Sequence, residues 1–241
     1  MKDGIYVVGG FDNPDVDKFD PMTRSFKTVS SLETEQEFFG ICQYDSDNFI
    51  FAGGYNVSNG KSLTATYIYN TKNSALRQVG SLNDERWAHV LVRSESGDIF
   101  AIGGSNKRRR RFISIEKFDK ENQSWNVIRT RLIKGRSNLQ AVAHKTYIYV
   151  IGGRLQNGSV TDSIEKFDVV TGQVQTVQKK LNVARAGFAA AKLGNLVYIM
   201  GGETSDSKKS NSVEILNLEF ETIETGTNLP FEGSYFTANV M

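Results

Sequence analysis

Three arginines, Arg86, Arg136 and Arg185, each stand four residues after a leucine (Leu82, Leu132, Leu181). Three glutamates, Glu116, Glu165 and Glu214, follow them at 29 or 30 residues. A guanidinium is a planar fork of donors matched to a carboxylate, so the series has two readings. The arginines could grip an acidic partner by bidentate bonds, or each could close on its own glutamate as an ion pair repeated inside the fold. The remaining positions of the series favour the second reading: one unit has Gln36 with Tyr67 and loses both charges together, although the other has Gly233 with Asp17. A partly buried pair broken at one end costs about 3–5 kcal/mol, whereas an exposed pair is worth about 0–1 kcal/mol.

The densest charge is the run Lys107, Arg108, Arg109, Arg110, Arg111, near which Lys134, Arg136 and Arg154 are expected to gather. It reads as a solvated loop kept mobile by repulsion, as an anchor for an acidic protein segment, or as a nuclear-import or nucleic-acid patch. With 29 basic against 27 acidic residues and no stacking series of aromatics, the chain as a whole argues against nucleic acid. Trp87, beside Arg86, reads either as a contact hot spot or as packing at the rim. Acidic residues (Glu33, Glu35, Glu37, Glu232) fall on other units, so the face that carries these loops reads as bipolar.

Catalytic constellations are hard to assemble. The chain has two histidines and one cysteine, which excludes an internal disulfide and the usual Cys–His–Asn or three-His zinc arrangements. His89 aligns with Phe39, Leu139, Phe188 and Phe236, so a packing role is expected. His144 is expected at a solvent-exposed strand turn, and Cys42 in a buried apolar position on an inner strand. No cofactor and no metal are expected. No apolar run reaches the roughly 18 residues of a membrane span, and the first four residues open no signal peptide.

The elements that position these residues follow from a repeat. Gly-Gly doublets at Gly9-Gly10, Gly53-Gly54, Gly103-Gly104, Gly152-Gly153 and Gly201-Gly202 are separated by 44, 50, 49 and 49 residues. Each closes a short run of β-branched and aromatic residues, such as Tyr149-Val150-Ile151, which reads as a buried strand. About ten residues on, a second strand ends in Asp or Asn (16–20, 66–70, 115–119, 164–168, 213–217), a turn signal. An apolar anchor follows (Phe26, Leu76, Trp125, Val174, Ile223), then a polar loop with Leu32, Leu82, Leu132, Leu181 or Leu229 and a strand leading to the next doublet. Four short strands per unit, with no helical period, make a blade, and the chain predicts an all-β, five-bladed propeller, one domain over 1–241. The doublets are architectural, since none forms a phosphate-binding motif. The tail, 235–241, is expected to supply the inner strand that the first unit lacks.

The order of apolar run, Gly-Gly, aromatic, turn and apolar anchor resembles the kelch repeat. The third unit is nearest, with Gly103-Gly104, Phe118 and Trp125. The resemblance implies a propeller whose loop face binds protein partners, as in BTB–kelch substrate adaptors of ubiquitin ligases, although six blades are commoner in that family. Arg136-Ser137-Asn138 and Arg185-Ala186-Gly187 resemble an Arg-Ser-Gly stretch that supplies partner-binding arginines in one such adaptor. Two loop sets are expected on one face: 11–13, 55–61, 105–111, 154–159 and 203–210 after the doublets, and 33–37, 83–87, 133–137, 182–186 and 230–234 before the inner strands.

The function expected is a non-catalytic module binding an acidic or phosphorylated segment of a protein, through Arg86, Trp87, Arg108, Arg109, Arg110, Arg111, Arg136, Ser137, Arg154, Arg185, Tyr55 and Glu203. A monomer in the cytoplasm is expected, with the nucleus also open to it. The alternative is a kelch-propeller enzyme acting on a sugar, mutarotase-like, with a channel carboxylate and an arginine. A kelch-like copper oxidase would need Tyr and His ligands that the sequence does not supply.

Overall fold

A computed structural model describes residues 5–10, 13–33, 35–206 and 208–235. The described residues contain strands and no helix, arranged as five antiparallel blades of a propeller. The first blade comprises Ile5–Val8, Asp15–Asp20 and Ser25–Ser31. The second runs through Gly40–Gln43, Asn48–Ala52, Thr66–Asn70 and Leu76–Val79. The third has Val90–Arg93, Ile99–Ile102, Ser114–Asp119 and Ser124–Arg131. The fourth has Gln140–His144, Tyr147–Ile151, Ile164–Asp168 and Val174–Thr176. The fifth has Ala189–Leu193, Leu196–Met200, Val213–Asn217 and Thr222–Thr225. The strands expected over 16–20, 66–70, 115–119, 164–168 and 213–217 therefore stand within a residue of their places, while the run read as Tyr149-Val150-Ile151 begins two residues earlier, at Tyr147. The expected closing strand lies, from residue 236 onward, outside the described residues.

The core sits between blades rather than within one. Ile50 and Ile68 of the second blade pack with Leu91, Ile99, Phe118 and Trp125 of the third, and Phe100 and Ile102 of the third pack with Ile148, Val150 and Phe167 of the fourth. Tyr149 and Ile151 then meet Phe188, Val197 and Ile199 of the fifth. Each blade thus buries its faces on its neighbours, and stability is a sum of such contacts. The anchor Trp125 stacks edge-on against Phe118 at 5.0 Å and donates its Nε1–H to Thr66 Oγ1 at 3.0 Å, tying its blade to the one before.

The lone thiol and the two imidazoles are packing elements. Cys42 is half-buried on an inner strand, and desolvation pushes its thiol up to about 12. His144 departs from expectation: it is 6% exposed, not solvated, because its strand continues into the turn and Glu219 lies 3.5 Å from its Nε2. His89 is also 6% exposed, with neither ring nitrogen hydrogen-bonded among the described residues. Burial, and secondarily the charge of Arg86, hold its pKa at about 3 against an ordinary 6.5.

A pH dependence follows from His89. Between about pH 6.5 and 3 the unfolded chain binds a proton there that the folded chain refuses. The stability tied to the neutral ring is therefore present above pH 6.5 and is lost as the pH falls. Urea midpoints of wild type and His89→Phe, measured from pH 7 to pH 4, should converge or cross in favour of the variant, the difference changing by roughly 1 kcal/mol per pH unit. A difference independent of pH would contradict this assignment.

Candidate functional site

The third, fourth and fifth blades are each held by a buried charge cluster. Arg86 is 0% exposed; its Nη1 donates to the carbonyls of Gly103 (3.0 Å) and Ser114 (3.3 Å), and its Nη2 donates to Ser114 Oγ (3.1 Å) and Glu116 Oε1 (2.7 Å). Arg136 repeats the pattern on Gly152, Ser163 and Glu165, and Arg185 on Gly201, Ser212 and Glu214. The carboxylates also accept backbone N–H bonds from the loops after Leu82, Leu132 and Leu181, among them Asn83 to Glu116 at 2.8 Å and Ile133 to Glu165 at 2.8 Å. Burial pushes all three guanidiniums down from their ordinary range while the paired glutamates push back. The expectation that Arg86, Arg136 and Arg185 face a partner is thus corrected: they lie inside the blades, their terminal donors already taken.

The same arginines join successive blades through their backbone. The carbonyl of Arg86 accepts from Gly54 N–H, that of Arg136 from Gly104 N–H and that of Arg185 from Gly153 N–H, each at 2.8 Å. A doublet in one blade therefore meets the arginine of the next. Gly103 sits at φ 67° with its missing Cβ 2.6 Å from the Arg136 carbonyl, an approach that only glycine permits.

Two residues past the arginine position, the chain turns into the left-handed region in every unit: Phe38, Ala88, Asn138, Gly187 and Tyr235 have φ between 52° and 60°. Ala88 N–H donates to Phe38 O, Asn138 to Ala88, Gly187 to Asn138 and Tyr235 to Gly187, at 2.6 to 2.9 Å. The rings of Tyr235 and Phe38 meet at 5.9 Å, so the first and last members of this series touch around the axis. These conformations are unfavourable for residues other than glycine; the hydrogen bonds between neighbouring units compensate.

The two expected loop sets do open on one face, where they pair. Arg136–Ser137 forms a two-stranded ribbon with Arg154–Leu155, and single bridges join Glu37 to Tyr55, Trp87 to Ser105 and Ala186 to Glu203. Above the axial ring they enclose a pocket of about 330 Å³ lined by Phe38, Trp87, Ser105, Arg109, Arg111, Ser137, Asn138, Arg154 and Tyr235. Of the residues expected on the face, Trp87, Arg109, Arg111, Ser137 and Arg154 converge here. Tyr55 packs on Trp87 at 5.8 Å, and Glu203 accepts from Arg154 at 2.7 Å and from Tyr235 at 3.1 Å. Arg108 and Arg110 stay on the exposed loop, Arg110 lying 5.6 Å from the Phe112 ring. The pocket residues Phe38 and Tyr235 were not anticipated, and Asn138 only as the end of the Arg136-Ser137-Asn138 segment; the register six residues after each leucine would have found them.

The basic loop has ordered contacts. Asn106 Oδ1 accepts from the N–H groups of Arg108 and Arg110, each at 3.1 Å, while Gln156 from the next blade bonds the backbone of Arg109 and Arg111 at 3.1 and 2.8 Å. Arg111 donates its Nε–H to Ser137 Oγ at 3.2 Å. Desolvation first, then the charges of Arg154 and Arg109, pushes its guanidinium down. Among the described residues no three His, Cys, Asp or Glu side chains stand close enough to hold a metal, and no helix is long and apolar enough to cross a membrane.

A family model for the Kelch motif matches residues 96–130, 135–180 and 184–229. Kelch-like protein 24 from Rattus norvegicus, Homo sapiens and Mus musculus is 28% identical over 117 residues, which is 48% of this chain and 18% of each relative. The solved structure titled "Structure of YjhT" superposes with a TM-score of 0.83 at 14% identity, covering 99% of this chain and 85% of that one. At that identity the likeness is one of fold.

Proposed function

This chain belongs to the kelch-repeat family, and from that premise we propose that it is a non-catalytic protein-interaction module, working as a monomer, that takes an acidic or phosphorylated segment of a partner over the pocket on its loop face. The observation that carries the proposal is the convergence of Arg109, Arg111 and Arg154 on a pocket that Phe38, Trp87 and Tyr235 also line. Among the described residues only Arg154 of the three has a carboxylate partner. Cations crowded in a half-desolvated cleft repel one another and attract an anion, and an Arg with aromatic neighbours is typical of binding hot spots. Service as the substrate-recognition part of a ubiquitin ligase, or as a scaffold, fits this reading.

The sugar-enzyme reading has one observation behind it: Glu203 between Arg154 and Tyr235 at the pocket edge. Its Oε2 already accepts both donors, which makes it a poor base. An NMR assay of sugar anomer exchange with added protein tests it, and acceleration would favour the enzyme.

Affinity capture tests the binding reading. The double variant Arg109→Glu/Arg111→Glu should lose at least about tenfold of the acidic partners that wild type retains, while Lys179→Glu, an exposed charge reversal away from the pocket, should retain them. An unchanged set of captured proteins would refute the proposal.

A further inference from the structure

The pocket is lined by residues of two chemical kinds. Arg109, Arg111 and Arg154 come with the hydroxyls of Ser105 and Ser137, and beside them stand Phe38, Trp87 and Tyr235. Phe38 lies 5.8 Å from Trp87 and 5.9 Å from Tyr235, so the three rings form one cluster. Of the arginines, Glu203 accounts for Arg154. Arg109 and Arg111 have no carboxylate partner among the described residues, which leaves two positive charges to be met. A side-chain carboxylate brings one negative charge, whereas a phosphomonoester at pH 7 brings about 1.5–2 and three acceptor oxygens.

Resting on the binding reading above, we infer that the pocket recognises a phosphotyrosine side chain, the phosphate meeting Arg109 and Arg111 while the phenyl ring lies against Trp87 and Phe38. Charge balance selects the dianion, and the aromatic cluster in the same pocket selects an aryl over an alkyl phosphate, since ring pairs favour offset or edge-on contact with an added aromatic group. The site is organised in advance. Gln156 clasps the backbone of Arg109 and Arg111, and Ser137 holds one edge of the Arg111 guanidinium, so little ordering remains to be done on binding.

The test is titration of the whole chain with phenyl phosphate, inorganic phosphate, O-phosphoserine and phenylacetate, followed by NMR and by tryptophan fluorescence. Phenyl phosphate should bind most tightly, and Arg111→Ala should weaken it at least about tenfold. Lys179→Ala, exposed and outside the pocket, should leave it unchanged. Affinity of wild type for phenyl phosphate should rise as the pH passes through about 6, where the second proton leaves the phosphate, while that for phenylacetate should stay flat; this readout needs no variant. Equal binding of phenylacetate would overturn the phosphate and leave an acidic partner standing. Equal binding of inorganic phosphate or phosphoserine would overturn the aryl group. Failure of every probe would overturn the inference, while loss of captured acidic partners from Arg109→Glu/Arg111→Glu would still support the wider binding reading.

Discussion

Replacing Arg136 with alanine should lower the stability by about 3–5 kcal/mol, because it leaves the buried carboxylate of Glu165 without its cation. The loss is not that of one ion pair. The carbonyls of Gly152 and Ser163 and the hydroxyl of Ser163 lose a donor together, and unsatisfied buried acceptors cost more than the bonds were worth. For a chain of 241 residues the melting temperature should fall by roughly 6–20 °C. Glu165→Gln should also destabilise, since its amide oxygen can replace Oε1 toward the guanidinium but its NH2 then faces the Ile133 N–H that Oε2 accepts. The double variant Arg136→Met/Glu165→Leu should recover only the part of the loss that comes from the stranded carboxylate, because the carbonyls of Gly152 and Ser163 and the N–H groups of Ile133 and Lys134 stay without their partners. If Arg136→Ala melts as wild type does, the cluster is not the staple its geometry describes. The second blade shows that a blade can form without it: Gln36 is 0% exposed there, and neither of its amide atoms is hydrogen-bonded among the described residues.

That contrast explains what could be read from the chain in advance. Strand positions were legible because period and turn chemistry are local: a run such as Tyr149-Val150-Ile151 between Gly and a turn has few other fates. The Arg–Glu pairing was legible because the two residues are present or absent together in most units, a correlation within one sequence. The pocket was only half legible. Its arginines announce themselves by charge, but Phe38, Ala88, Asn138, Gly187 and Tyr235 have no shared side chain; what they share is a backbone turn fixed by a bond to the next unit. The order of the basic loop was hidden for a similar reason, since Gln156, which clasps it, lies 45 residues beyond Arg111. His144 was misplaced on the surface because the residue that covers it, Glu219, belongs to another blade.

Gly103→Ala should destabilise the chain by roughly 2–5 kcal/mol, the sum of a left-handed backbone under a Cβ and the displacement of a packed neighbour. The added methyl would stand 2.6 Å from the carbonyl of Arg136, which is backbone and has little room to yield. Gly158→Ala isolates the first contribution: that glycine also has positive φ, at 88°, but nothing lies within 4 Å of its missing Cβ, so about 1–2 kcal/mol is expected. Thermal or urea unfolding of the two variants side by side checks the difference, and equal losses would mean that the contact between blades carries no strain. The carbonyl that the methyl strikes is the one that accepts Gly104 N–H, while the side chain of that same Arg136 reaches the Gly152 carbonyl in its own blade. One residue therefore holds two doublets in successive blades. Gly103→Ala and Arg136→Ala consequently damage one joint, and their combination should fall short of additivity by at least about 0.5 kcal/mol. Strict additivity would separate the glycine doublets from the buried arginines, and the account of how neighbouring blades are coupled would have to be given up.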